Sequence, residues 1–136
     1  MDIKKVKITE VGPRDGFQSE KTVLKTEDKI SIINDLIVAG FPRIEVSSFV
    51  SPKAIPQLAD AEIILSKVNR SPNTTLAALV PNARGAIRAV EANLDEIVVF
   101  LSASESHNKK NVNRNVDESL IGFREIADIA GKNNIP

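Results

Sequence analysis

The hydrophobic positions alternate between two periods along the chain. Short runs rich in β-branched and apolar residues are each followed by a segment whose apolar residues recur every three or four positions. The first pattern is typical of β-strands and the second of amphipathic helices. The alternation of the two patterns predicts an α/β fold of about four βα units. The strands are expected at 6–9, 43–47, 75–80 and 96–101 and the helices at 26–40, 59–68, 83–92 and 115–130.

Turn and capping residues suggest where several of these helices begin and end. Thr26 is a candidate helix cap, and Gly40 follows the last apolar position of the same segment. Asn115 and Glu118 have the spacing of a capping box, which predicts the start of the last helix. Gly131 is expected to end that helix.

Two architectures fit this order of elements. Strands separated by helices need crossover connections, so neighbouring strands should be parallel. A (β/α)₈ barrel takes about 250 residues, and four units correspond to about half of one. A small open sheet of the doubly wound type has the same periodicity. The segments 75–80 and 96–101 are almost entirely apolar, as expected in either fold for strands buried on both faces.

Composition limits the classes of partner. The 136 residues have an ordinary hydrophobic fraction of 42%, and 18 basic residues balance 18 acidic ones. No net charge attracts the whole protein to nucleic acid or to an anionic membrane, so neither is expected as a partner. The chain has no cysteine, which excludes disulfides and thiolate metal ligands within it. The first residues resemble neither a signal peptide nor a transit peptide, and a cytoplasmic location is expected.

The clearest candidates for chemistry are Arg14 and Asp15, which follow the first predicted strand. The turn GPRDG needs only its glycines and proline, because Gly12 and Gly16 can adopt positive φ and Pro13 restricts its own φ. In parallel α/β folds, functional residues collect at the carboxyl ends of the strands. The charged pair is therefore a candidate site, and a weak surface ion pair is the alternative interpretation.

Glu45 is a second candidate because it lies inside a predicted strand. Side chains alternate along a strand, so its carboxylate should point away from the side of Ile44 and Val46. In a barrel that direction is the interior, where an unpaired carboxylate is costly. Arg14, at the end of the neighbouring strand, is its expected partner.

One basic segment, residues 107–114, has no clear assignment. Its sequence HNKKNVNR carries enough positive charge to hold phosphate groups, although most such runs are solvated loops. His107 is the only histidine, and it is interpreted as a loop residue rather than a metal ligand. No glycine-rich phosphate-binding motif is present.

Three segments closely resemble one family of enzymes. EVGPRDGFQSEK, IEVSSFVSPKAIPQLAD and FLSASESHNKKNVNRNVDES are similar, in the same order, to the amino-terminal half of 3-hydroxy-3-methylglutaryl-CoA (HMG-CoA) lyases, which are metal-dependent (β/α)₈ barrels. Phe17 departs from the leucine that is more frequent in the family. The resemblance implies that residues 1–136 form a single partial domain, the first half of an HMG-CoA lyase-like TIM barrel of the pyruvate carboxyltransferase type.

The resemblance also implies a reaction and roles for five residues. HMG-CoA would be cleaved to acetoacetate and acetyl-CoA with Mg²⁺ or Mn²⁺ as cofactor. Asp15 would be a metal ligand, and Arg14 would bind the thioester carbonyl and stabilise the developing enolate. Glu45 matches an active-site carboxylate, and Gln18 and Ser48 would lie along the substrate.

The family's metal-binding histidines and asparagine and its catalytic cysteine belong to the carboxyl half of the barrel and have no counterpart in this sequence. The isolated chain is therefore expected to be inactive. It should associate with itself as a homo-oligomer or require the carboxyl-terminal half of a barrel.

Two other functions are compatible with parts of this pattern. Claisen-type synthases that make isopropylmalate or citramalate use a related metal barrel. They usually have a threonine-leucine-arginine-aspartate-glycine motif, whereas Gly12 and Pro13 precede Arg14 here. The second alternative is a non-catalytic, self-associating half-barrel.

Overall fold

A computed structural model describes residues 6–136. A π-helical turn at Gly12–Gly16 follows the first strand, and a 3₁₀ turn at Pro56–Leu58 precedes the third helix. The strands are β1 (Thr9–Glu10), β2 (Arg43–Ser48), β3 (Thr75–Leu79) and β4 (Glu96–Val98), and the helices are α1 (Phe17–Ser19), α2 (Thr26–Val38), α3 (Ala61–Lys67), α4 (Ala83–Glu91), α5 (Glu105–Val112) and α6 (Val116–Lys132).

The four strands form one parallel sheet in the order β1-β2-β3-β4. Each strand is hydrogen-bonded to the one before it in sequence, as in a barrel, whereas a doubly wound sheet reverses its order at a switch point. The Ile97 amide of β4 donates to the Pro136 carbonyl at 2.8 Å, so the chain returns to β4 after α6. The prediction of parallel βα units with barrel-like order is confirmed.

The hydrophobic core lies between the sheet and the helices. Ile44 and Leu76 from the strands pack with Ile33 of α2 and Ile64 of α3, and all four are almost completely buried. Further core residues come from α4 and α6. No helix among residues 6–136 is both long enough and apolar enough to cross a membrane.

A buried lysine joins α2 to the start of α3. Lys29 is 1% exposed, and its Nζ donates to the Gln57 carbonyl at 2.6 Å and to Asp60 Oδ1 at 2.9 Å. Thr26, the predicted cap, instead follows the N-cap residue Lys25, and its hydroxyl donates to Asp60 Oδ2 at 2.7 Å. The amphipathic pattern of α2 was predicted correctly, but it gave no indication of this polar contact.

The two outer strands are shorter than predicted. β1 begins at Thr9, the residue paired with Arg43 at the start of β2, and Val6 and Ile8 before it are exposed. β4 ends at Val98, and its residues are only partly buried. The prediction that 96–101 is buried on both faces was therefore wrong, because β4 is the last strand of the described sheet and β3 is its one strand neighbour there.

The basic segment 107–114, which had no clear assignment from the sequence, lies mostly in α5, so the interpretation of His107 as a loop residue was wrong. The Ser104 hydroxyl caps α5 by accepting from the His107 amide. The helix ends at Val112 and is followed by Asn113, which has a φ of 55°. Its residues are mostly polar, so hydrophobic periodicity could not reveal the helix.

The predicted capping box at Asn115 is confirmed, with the Glu118 amide 2.7 Å from Asn115 Oδ1 and the Asn115 amide 2.8 Å from Glu118 Oε2. Gly131 does not end α6, which continues to Lys132. Among the glycines, only Gly40 has positive φ, at 85°, so Gly12 and Gly16 do not use that freedom.

Candidate active site

The π-helical turn presents Arg14 and Asp15 at the carboxyl end of β1. The amides of both residues donate to the Val11 carbonyl, at 3.1 and 2.7 Å, and Pro13 is buried beneath them. The turn packs against β2. Local backbone bonding therefore holds both side chains beside the neighbouring strand.

Arg14 joins the two candidate carboxylates. Its Nε donates to Glu45 Oε2 at 3.0 Å, and its Nη1 donates to Asp15 Oδ1 at 2.7 Å. Glu45 is only 7% exposed, whereas the Asp15 side chain is 63% exposed. The predicted pairing of Glu45 with Arg14 is confirmed. A guanidinium carries five N–H donors, so Arg14 retains donors for a further acceptor.

A second arginine lies on the other side of Glu45. Arg43 Nη1 is 3.7 Å from Glu45 Oε1, and Arg43 also binds Glu96 through three contacts of 2.6 to 3.1 Å. Glu45, Ala77 and Glu96 are aligned across adjacent strands, and the small side chain of Ala77 leaves space for Arg43 to reach β4. Two guanidinium groups thus compensate the buried charge of Glu45.

The contact between Arg43 and Glu96 shifts the pKa values of both side chains. Hydrogen bonding from Arg43 lowers the pKa of Glu96 below its ordinary value, against the opposing effect of burial. Hydrogen bonding to Glu96 raises the pKa of Arg43. This pair was not predicted from the sequence, although Arg43 stands two positions before Glu45 and therefore on the same face of the strand.

An irregularity in β2 decides which serine reaches the site. Strict alternation from Glu45 would place Ser47 on its face of the sheet, but the register with β3 shifts between these two residues. Ser48 pairs with Leu79, and both line the cavity described below. Ser47 is not among the lining residues, and its buried hydroxyl has no hydrogen-bond partner in the described part of the chain.

A cavity of about 570 Å³ opens at the carboxyl ends of the strands. Arg14, Gln18 and Ser48 line one side, so the structure brings these three predicted residues together. Asp15 and Glu45 flank Arg14 without lining the cavity. The other residues that line the cavity are Val50, Ser51, Ala54, Ile55, Leu79, Pro81, Asn82, Phe100, Asn111, Val112, Arg114, Ser119 and Phe123.

Asp15 is the residue best suited to a divalent cation. Its exposed carboxylate is a hard oxygen donor, and only Oδ1 is bonded to Arg14, while Oδ2 has no partner among residues 6–136. Within that range no three His, Cys, Asp or Glu side chains are grouped as a metal site. The described residues therefore fit one ligand position of a metal.

Comparison with known proteins identifies close relatives of this chain. A family model described as HMGL-like matches residues 5–135. The hydroxymethylglutaryl-CoA lyase YngG of Bacillus subtilis is 48% identical over 132 residues, which are 97% of this chain and 44% of that protein. Other similar proteins include a lyase of Danio rerio that is named as cytoplasmic and a lyase of Gallus gallus that is named as mitochondrial.

Solved structures agree with the sequence matches. The HMG-CoA lyase of Bacillus subtilis superposes with a TM-score of 0.94 at 48% identity, covering 98% of this chain and 45% of that one. An HMG-CoA lyase from Acinetobacter baumannii, solved in complex with coenzyme A and 3-methylmalate, gives a TM-score of 0.88 at 46% identity. The match covers 91% of this chain and 41% of that one. The chain thus spans less than half the length of these relatives.

Proposed function

This chain belongs to the HMGL-like family, and on that premise we propose that it forms the first half of an HMG-CoA lyase barrel. The complete enzyme would cleave HMG-CoA to acetoacetate and acetyl-CoA. The observation that carries the proposal is the Arg14 guanidinium, held between Glu45 and Asp15 at the edge of a cavity at the strand ends. The relatives are lyases, which favours cleavage over the Claisen-type condensation considered above.

The proposed chemistry uses Arg14 where negative charge develops. Removal of the proton from the 3-hydroxyl group allows the bond between C2 and C3 to break, which releases acetoacetate. The bonding electron pair moves toward the thioester oxygen, and the resulting enolate takes a proton at C2 to become acetyl-CoA. The free N–H groups of Arg14 would donate to that oxygen and stabilise its charge.

Glu45 would act with Arg14 by fixing the guanidinium in this orientation, and its own position is fixed by Arg43. Gln18 and Ser48 line the cavity beside Arg14 and would contact the acyl-CoA substrate. These roles follow from proximity to Arg14, since groups held in reacting geometry lower the barrier through orientation.

The proposed cofactor is Mg²⁺ or Mn²⁺, with Asp15 as the ligand from this chain. When bound, the cation would hold substrate oxygens and favour loss of the hydroxyl proton. A divalent ion held through one carboxylate keeps most of its water, so the remaining ligands should come from the second half of a barrel. We further propose a cytoplasmic location and either self-association or pairing with that second half.

The test requires a complete barrel. The joined enzyme, defined here as this chain fused to the carboxyl-terminal remainder of the Bacillus subtilis relative, should release acetoacetate from HMG-CoA in the presence of Mn²⁺. The unfused 136-residue chain should release none and should form larger species in light scattering, because open strand edges and apolar surfaces promote association.

Two results would contradict the proposal. A joined enzyme that folds and condenses acetyl-CoA with a 2-oxo acid, giving isopropylmalate or citramalate, would support a synthase instead. Metal-dependent lyase activity in a monomeric unfused chain would show that the second half is not needed.

The ion pair beside Glu45 predicts a loss of stability in acid. The pKa of Glu96 is lowered in the folded state, so its carboxylate stabilises the fold above its unfolded pKa. That contribution should disappear as the pH falls below about 4.5, through the folded pKa. Urea unfolding of the joined enzyme should therefore show Glu96→Gln to be destabilising at pH 7, with a smaller difference from the parent at pH 3.

The matched control is Glu91→Gln, which changes an exposed carboxylate on α4. It should leave the free energy of unfolding nearly unchanged at both pH values. A Glu96→Gln effect that is the same at pH 7 and pH 3 would exclude the proposed contribution of the carboxylate.

A further inference from the structure

Arg114 occupies a rigid junction between α5 and α6. Asn108 is 0% exposed, and the two hydrogens of its Nδ2 are shared among three acceptors: the carbonyls of Arg114 and Asn115, at 3.0 and 3.1 Å, and Ser119 Oγ, at 2.8 Å. Its Oδ1 accepts from the Ser102 amide at 3.0 Å. A buried side chain with all these bonds satisfied fixes the backbone from which the Arg114 side chain projects.

The Arg114 guanidinium lies against a glycine that leaves space for it. A Cβ atom built on Gly122 of α6 would be 2.6 Å from Arg114 Nη1, closer than such atoms approach in proteins. Arg114 lines the cavity together with Ser119 and Phe123, which belong to α6 like Gly122. In this conformation the guanidinium occupies space that a side chain at residue 122 would take.

The charge of Arg114 is not compensated as that of Arg14 is. Arg14 contacts two carboxylates, whereas none of the ion pairs among residues 6–136 includes Arg114. Lys109 and Lys110 of α5, close by in sequence, are exposed and do not line the cavity. An arginine in this setting is available to an anionic group of a ligand.

The location of Arg114 indicates which anionic group it would take. Arg14, which is bonded to Glu45, lies at the carboxyl end of β1, where the acyl group must sit to react. Arg114 lies between the helices α5 and α6. The part of an acyl-CoA that extends away from the reacting carbons is the phosphorylated coenzyme. Planar guanidinium groups bind phosphate oxygens through two parallel hydrogen bonds.

We propose that Arg114, seated on Gly122, binds a phosphate group of the coenzyme A portion of the substrate. This inference rests on the proposed acyl-CoA function and adds a residue that determines preference for the phosphorylated thioester. It also assigns a role to the basic segment that the sequence alone left open.

The experiment measures kcat/KM of the joined enzyme with two thioesters of the same acyl group, HMG-CoA and HMG-pantetheine, which lacks phosphates. Arg114→Met should lower kcat/KM for HMG-CoA about 10- to 100-fold, mainly through KM, the range expected for loss of a charge-assisted hydrogen bond. It should leave kcat/KM for HMG-pantetheine unchanged. The dephospho-CoA thioester then shows whether the 3′-phosphate or the diphosphate is bound.

Two further variants separate binding from folding. Gly122→Ala should force the guanidinium to shift and give a smaller loss that is also confined to HMG-CoA, and Arg114→Lys should recover part of the affinity that Arg114→Met loses. Arg124→Met, which removes an exposed arginine of α6 outside the cavity, is the matched control. It should leave kcat/KM unchanged for both substrates.

The outcomes distinguish this inference from the proposed function. A parent joined enzyme that cleaves neither thioester would overturn the lyase assignment and the ligand assignment together. An active parent whose Arg114→Met variant loses the same factor with both thioesters, or loses nothing, would overturn the phosphate contact alone. A loss confined to substrates that carry the acyl carboxylate, with acetyl-CoA binding unchanged, would assign Arg114 to the acyl group instead.

Discussion

Replacing Arg14 with lysine in the joined enzyme should lower kcat for HMG-CoA cleavage about 100-fold or more while changing KM little. The guanidinium contacts Glu45 through Nε and Asp15 through Nη1, and it still has donors for the substrate oxygen. An ammonium is a compact charge on a flexible stem and cannot keep this planar geometry. The loss should fall on kcat because the contact strengthens as charge develops on the oxygen.

The matched control for this prediction is Arg70→Lys. Arg70 forms an ion pair with Asp95 in which both side chains are 37% exposed, and it does not line the cavity at the strand ends. Its substitution should leave kcat unchanged. Circular dichroism of both variants verifies the fold, and an unaltered kcat in a folded Arg14→Lys enzyme would remove Arg14 from the catalytic groups.

Replacing the buried Lys29 with alanine should produce the largest loss of stability. The substitution would leave the Asp60 carboxylate, whose side chain is 15% exposed, without its cation and would leave the Gln57 carbonyl without its donor. Removing one partner of a buried ion pair costs about 3 to 5 kcal/mol. Urea unfolding of the joined enzyme should therefore give a free energy of unfolding lower by about 3 kcal/mol or more.

Two variants identify the cause of that loss. Lys67→Ala removes an exposed lysine from α3 and should cost less than about 0.5 kcal/mol. Lys29→Met keeps most of the apolar stem, so a loss close to that of Lys29→Ala would assign the effect to the missing charge. A change below about 1 kcal/mol in both Lys29 variants would show that the contact between α2 and α3 contributes little.

The sequence by itself determined the parallel α/β class and the heart of the candidate site. Hydrophobic periodicity located the helices with apolar faces, and capping chemistry located the start of α6 at Asn115. Alternation along β2 placed Glu45 opposite Ile44 and Val46, and the cost of burying a carboxylate required a partner, which is Arg14. These inferences succeeded because each depends on neighbours within a few residues or on a general rule for strand ends.

Only the tertiary structure could decide features that depend on register and packing between distant segments. The sequential strand order selected a barrel over a doubly wound sheet, and periodicity does not record which strands are adjacent. The register shift in β2 brought Ser48 rather than Ser47 to the cavity, since one displaced residue reverses the face of every later side chain. Arg43 reaches across β3 to Glu96, where β3 carries the small Ala77 at the level of Glu96. Arg114 likewise lines the cavity and lies against Gly122 of α6, a contact set by how the chain turns between two helices and not by any local pattern.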